Sequence, residues 1–162
     1  ALDTLLKQNN NISYEKITDY WKDTGTPDDI LHANGEIINK HPDFQSKHFV
    51  NNNLEGEHFT IKDNVIIGKN CKIDKDVTIN GPVIIGDGCE IIANTTIGPN
   101  VSIGNNSIIS VSLVKNSIIM DNCKISSCTE IKDSIIANNS EIKDETNSQK
   151  VFLLGEGSKI SL

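Results

Sequence analysis

The side chains able to do acid–base or metal chemistry are few and unevenly placed. The four histidines, His32, His41, His48 and His58, all precede residue 61, so residues 61–162 offer no imidazole as a general base. The cysteines Cys71, Cys89, Cys123 and Cys128 are spaced by 18, 34 and 5 residues, which matches no zinc-ligand pattern and no disulfide framework. Reduced thiols in a cytoplasmic compartment are the expectation. All 15 basic residues are lysine, so the bidentate guanidinium clamp on phosphate is missing. Twenty-two acids leave a net charge of −7, which argues against a nucleic-acid backbone as partner. No apolar run approaches the roughly 20 residues of a membrane span, and no basic-then-apolar signal segment opens the chain.

What positions these residues is a repeat. Stepping by six from Ile61 gives Ile67, Ile73, Ile79, Ile85, Ile91, Ile97, Ile103 and Ile109, drawn from a chain with 26 isoleucines. Two residues before these isoleucines, beginning ahead of Ile67, stand Val65, Cys71, Val77, Val83, Cys89, Thr95, Val101 and Ser107, all small or β-branched. Residues i and i−2 of a strand share a face, so both series point inward. Gly68, Gly86, Gly98 and Gly104 follow the isoleucine directly, with Asp74 and Asn80 in the equivalent slot. Such residues tolerate the left-handed backbone of a sharp corner. Three six-residue strands close a triangular coil, and coils stack in parallel about 4.8 Å apart. The architecture predicted is a mainly β, parallel β-helix of hexapeptide repeats over residues 61–162, with about five to six coils.

The register slips after Ile109. It resumes as Leu113, Ile119, Ile125 and Ile131, with Ser117, Cys123 and Thr129 in the small slot. It slips again to Ile136 and Ile142, with Ser134 and Ser140. Leu154 and Ile160, with Ser158, come back into phase if residues 147–150 fill a corner. Cys71 and Cys89 should be stacked neighbours one coil apart. That spacing would permit a disulfide, although buried thiols are expected.

Before Ile61 the period is absent. Leu2–Gln8 reads as the end of an amphipathic helix stopped by Asn9–Asn11, and Ile12–Tyr20 alternates as a strand. Residues 28–40 read as a helix, with Thr26 as N-cap, Pro27 at the first helical position and Asp28 and Asp29 in the first turn. Residues 41–60 read as a linker. Two helices and a strand cannot bury a core alone, so residues 1–40 must dock on the solenoid or belong to another domain.

The stretch Trp21-Lys22-Asp23-Thr24-Gly25-Thr26-Pro27-Asp28-Asp29-Ile30-Leu31, with Ala33-Asn34, resembles the end of the catalytic domain of sugar-phosphate nucleotidylyltransferases. The nearest pattern is the long form of glucose-1-phosphate thymidylyltransferases. The solenoid, down to Gly155-Glu156-Gly157-Ser158-Lys159-Ile160-Ser161-Leu162, is similar to the C-terminal β-helix of that family, which is left-handed. The Asp-Thr-Gly-Thr-Pro stretch is specific, whereas hexapeptide repeats are shared with many acyltransferases. Those resembling acyltransferases place a histidine on the coils, which is missing here, and solenoid carbonic anhydrases need three on one metal.

The resemblance implies a division into the end of a nucleotidyltransferase domain (1–40), a linker (41–60) and the β-helix (61–162). It implies an enzyme that forms a nucleoside-diphosphate sugar and pyrophosphate from an NTP and a sugar 1-phosphate, with Mg²⁺ as cofactor. Asp23 would be one of two carboxylates holding that metal, and Trp21, the only tryptophan, would pack against the hexose. The family's glycine-rich nucleotide loop has no counterpart here. The chain is therefore expected to be the C-terminal part of a longer enzyme, inactive alone and supplying no catalytic residue itself. Its β-helix would serve assembly as a homo-oligomer, or regulation. The competing expectation is a stand-alone β-helical module that binds a partner or self-associates.

Overall fold

The computed structural model describes residues 2–8, 11–42, 49–50, 58–127, 130–144 and 149–162. His48, Cys128, Thr129 and residues 9–10, 51–53 and 147–148 of the expected loops and corners lie outside the described residues.

Two helices open the described chain, α1 (Leu2–Lys7) and α2 (Pro27–Asn39). Eighteen short strands follow among the described residues: β1 (Phe49–Val50), β2 (Thr60–Lys62), β3 (Val65–Ile67), β4 (Lys72–Ile73), β5 (Thr78–Asn80), β6 (Val83–Ile85), β7 (Glu90–Ile91), β8 (Thr96–Ile97) and β9 (Val101–Ile103). The remainder are β10 (Ile108–Ser110), β11 (Leu113–Lys115), β12 (Ser117–Ile119), β13 (Lys124–Ser127), β14 (Glu130–Lys132), β15 (Ile135–Ile136), β16 (Glu141–Asp144), β17 (Leu153–Leu154) and β18 (Lys159–Ser161). They form three parallel sheets in the orders β1-β3-β6-β9-β12-β15-β17, β18-β16-β13-β10-β7-β4 and β14-β11-β8-β5-β2. Consecutive strands fall on different sheets, so the chain winds around one axis as a parallel β-solenoid of about five turns.

The interior is the one the repeat dictates. Ile67 pairs in register with Ile85 and Ile85 with Ile103, while Ile61 pairs with Ile79 and Ile79 with Ile97. From Ile67 to Ile109 every isoleucine of the series is buried, as are the small residues beside them. Aliphatic stacks replace aromatic ones, and each buried isoleucine contributes about 1.5–3 kcal/mol of burial.

The register slip is resolved differently from the sequence expectation. Leu113 is only half-buried and sits opposite Thr96, whereas the fully buried Val114 sits between Ile97 and Ile131. The corner after Ile109 loses one residue, so the inward position arrives five residues on rather than four. Coils then close in 16 or 17 residues, as in Ile109↔Ile125 and Val114↔Ile131, before the 18-residue step returns in Ile142↔Ile160.

The corners also correct one expectation. Gly98 carries the left-handed backbone, whereas Gly68, Gly86 and Gly104 do not. At those three corners it falls two residues further along, on Asn70, Gly88 and Asn106, and likewise on Asp76, Asn94, Asn100, Asn122 and Asn139. The directly following glycines are needed for space instead. A Cβ on Gly86 would stand 2.6 Å from Asn105 Oδ1, closer than any side chain can sit.

At the N-terminal side, α2 begins as expected, with Thr26 capping the Asp29 amide at 3.2 Å and Pro27 in the first turn. Residues 11–26 form no strand, contrary to the alternation of Ile12–Tyr20. The reason is that no neighbouring strand among the described residues offers ladder partners, and every one of these residues is exposed. Within the stretch read as a linker, Phe49–Val50 pairs with β3 and extends the first sheet by one strand. α2 docks on the outer face of that sheet at β9 and β12, burying Leu31 and Ile38.

Candidate functional site

The segment leading into α2 holds both residues that the sequence singled out. Tyr20, Lys22 and Thr26 are tied to the helix. The Tyr20 hydroxyl lies 3.2 Å from His32 Nδ1, with the two rings stacked at 6.4 Å between centroids, and Lys40 Nζ sits 5.1 Å from the Tyr20 ring centre. Lys22 Nζ pairs with Asp29 Oδ1 at 2.8 Å. Lys22 and the Thr26 hydroxyl, which donates to Asp29 at 2.7 Å, hold the Asp29 carboxyl below its ordinary range.

The odd-numbered pair is untied. Trp21 is 69% exposed, and Asp23 is exposed with one carboxylate oxygen 3.8 Å from where a Cβ would stand on Gly25. An exposed indole beside an exposed carboxylate could pack on a sugar ring and coordinate a cation. Yet no group of three His, Cys, Asp or Glu side chains gathers to hold a metal among the described residues. Mg²⁺ is held by one or two carboxylates together with phosphate oxygens and water. Asp23 alone therefore does not fit the ion, and the rest of such a site would have to come from other groups.

A second concave feature was not read from the sequence. Between α2 and the solenoid lies a cleft of about 320 Å³ lined by Asp28, Leu31, His32, Gly35, Glu36, Asn39, Asn100 and Asn116. The helix is fixed over it by polar contacts. Ser102 Oγ donates to Asn34 Oδ1 at 2.6 Å, and Asn39 Nδ2 donates to Gly35 O at 2.7 Å and reaches Asn100 Oδ1 at 3.5 Å. Asn34 Nδ2 is buried with no hydrogen-bond partner. Asn100 and Asn116 are both left-handed corner residues, and Asn116 Nδ2 donates to Asp133 Oδ1 at 2.6 Å. Glu36 pairs with Lys40 at 2.9 Å, which keeps its carboxyl below the ordinary range. The signal available in sequence was Gly35 inside a helix that had no turn to make.

Inside the solenoid, Cys71, Cys89 and Cys123 are buried free thiols. They share one column with Ser107 and Ser140, and each member donates to a carbonyl of the next coil: Cys71 to Gly86, Cys89 to Gly104, Ser107 to Met120, Cys123 to Ala137 and Ser140 to Gly155. The neighbouring Cys71 sulfur and burial push the Cys89 thiol up, and burial pushes Cys123 up. The Cys89 thiol holds Cys71 the other way, down to about 7, so it is Cys89 and Cys123 that are structural donors rather than nucleophiles. The coils carry no histidine, and no helix among the described residues is long and apolar enough to cross a membrane.

The family described as the GMPPB C-terminal domain matches residues 79–161, from Ile79 of β5 to Ser161 of β18, just over half of the chain. No curated protein matches it.

Proposed function

The chain belongs to the GMPPB C-terminal domain family, a nucleotidyltransferase-related C-terminal module, and from that premise we propose that it is the C-terminal part of a sugar nucleotidylyltransferase. The parent enzyme joins an NTP to a sugar 1-phosphate, releasing pyrophosphate and forming a nucleoside-diphosphate sugar of the dTDP-glucose type. The observation that carries this reading is the family match, which runs through the solenoid from its second coil to its last strand. The solenoid serves assembly of a homo-oligomer or regulation, and residues 1–40 complete the adjoining domain.

In this reading Asp23 contributes one carboxylate toward Mg²⁺, an ion that when bound neutralises phosphate charge. Trp21 offers its exposed face to the hexose. Both are exposed and stand beside Tyr20 and Lys22, which are tied to α2. The test is pyrophosphate release by the product of the native gene, supplied with glucose 1-phosphate and dTTP, and with other NTPs in parallel. Release with none of them would overturn the reading.

The isolation of Asp23 favours one second reading, a stand-alone β-helical module without catalysis. Intact mass of the native gene product separates the two. A mass well above 17.7 kDa fits the enzyme, and a mass at that value fits the module.

A further inference from the structure

We propose that the cleft between α2 and the solenoid corner binds a neutral polyhydroxylated ring of monosaccharide size. The site needs no nucleotidyl transfer, and its test stands whether or not the parent enzyme is active.

The unused hydrogen-bonding groups of the cleft alternate in kind. The Asp28 carboxylate has no partner among the described residues and can only accept. His32 spends Nδ1 on the Tyr20 hydroxyl and leaves Nε2 open. Asn100 uses its carbonyl oxygen toward Asn39 and leaves its amide NH₂ to donate. Asn116 uses its NH₂ on Asp133 and leaves its carbonyl oxygen to accept. Leu31 supplies an apolar wall. A hydroxyl both donates and accepts, so a ring carrying several of them can satisfy this set. A phosphate or other anion cannot, because two carboxylates and no lysine line the cleft. An ammonium ion would leave the amide donor unused, and Glu36 is already paired with Lys40. At about 320 Å³ the cleft lies at the small end of ligand pockets.

Gly35 is the independent observation. It stands inside α2, where glycine costs about 1 kcal/mol relative to alanine. Packing does not demand it, since a Cβ there would meet Asn100 Cγ and Oδ1 at 3.8 Å, an ordinary contact. Its φ is not left-handed either. What the missing side chain does is leave the cleft open toward Asn100.

The experiment titrates the 162-residue chain with D-glucose and follows the side-chain amide resonances of Asn100 and Asn116. Saturable shifts with a millimolar dissociation constant are expected. Gly35→Ala should keep or raise the melting temperature yet weaken binding roughly fivefold or more. Asn100→Gly, which keeps the left-handed corner while removing the amide, should weaken it comparably. Glucose 1-phosphate should bind more weakly than glucose. The proposal is overturned by the absence of saturable shifts with glucose, by equal affinity in both variants, or by putrescine shifting these amides when glucose does not.

Discussion

The Asp87 carboxylate accepts the backbone amide of Lys69 at 2.6 Å, from one coil away, across the spot where Gly68 carries no side chain. The same arrangement repeats along the corner. Asn105 Oδ1 takes the Asp87 amide at 2.8 Å, Asp121 Oδ1 takes the Asn105 amide at 2.7 Å, and Asn138 Oδ1 takes the Asp121 amide at 3.0 Å. Corner amides lie outside the strand ladders and would otherwise depend on water. The side-chain ladder pairs them, and its oxygens occupy the volume that a Cβ on Gly68, Gly86 or Gly104 would need.

Gly86→Ala should therefore destabilise the solenoid by about 1–3 kcal/mol through overpacking against Asn105, lowering the denaturation midpoint. Gly155→Ala is the control, because nothing lies within 4 Å of a Cβ there. Its midpoint should move little. Equal effects at the two glycines would show that backbone freedom rather than space governs the corner.

Much of this fold could be read from residues 61–109, since a six-residue period forces three-sided coils and each inward position is marked by its own residue type. The period failed where a corner shortened by one residue: the inward position fell on Val114 rather than on Leu113, and both are aliphatic, so composition could not choose. The alternation of Ile12–Tyr20 misled for another reason, because strands exist only with partners and local pattern cannot supply one. Trp21 and Asp23 could be picked out by resemblance, and their exposure beside the Tyr20 and Lys22 ties came from the structure. The cleft was hidden because it joins Asp28 and His32 to Asn100 and Asn116, far apart in sequence and juxtaposed only by helix docking.

The shortened corner gives a direct check. Val114→Ala opens a cavity between Ile97 and Ile131 and should cost about 2 kcal/mol in denaturant unfolding. Leu113→Thr should be nearly neutral, because the position faces outward and its register partner is already Thr96. A larger loss at Leu113 would restore the register expected from the sequence, with Leu113 inward.

Cys123 is buried, donates to Ala137 at 3.2 Å, and burial pushes its thiol up from its ordinary range. Folded, it stays protonated where the unfolded chain begins to ionise. The unfolded state then binds fewer protons, so stability is full below the unfolded pKa and falls as pH rises past it. Comparing unfolding free energies at neutral and strongly alkaline pH should show a decline in the native chain that Cys123→Ser reduces, by up to about 1.4 kcal/mol per pH unit. The serine keeps the donor, as Ser107 and Ser140 do in the same column.

Asp23→Asn and Trp21→Ala test the proposed activity on the native gene product. Both side chains are exposed, so stability should change by no more than about 0.5 kcal/mol. Asp23→Asn should lower kcat roughly a hundredfold by removing one carboxylate from the cation. Trp21→Ala should act mainly on KM for the sugar 1-phosphate. Full activity in Asp23→Asn would remove this residue from the metal site.

Asp144 closes β16 with its carboxylate buried, and Lys150 Nζ, six residues on, meets it at 2.7 Å. The pair joins the end of one coil to the start of the last, where Lys150 also bridges Ile131. Lys150→Met withdraws the ammonium from a carboxylate only 2% exposed and should cost about 3–5 kcal/mol. Asp144→Asn combined with Lys150→Met removes both charges and should recover part of that loss. If the single and double variants unfold at the same denaturant concentration, the carboxylate is not the source of the cost. Lys150 would then be held by its backbone contacts, such as Lys150 N to Glu130 O at 3.0 Å.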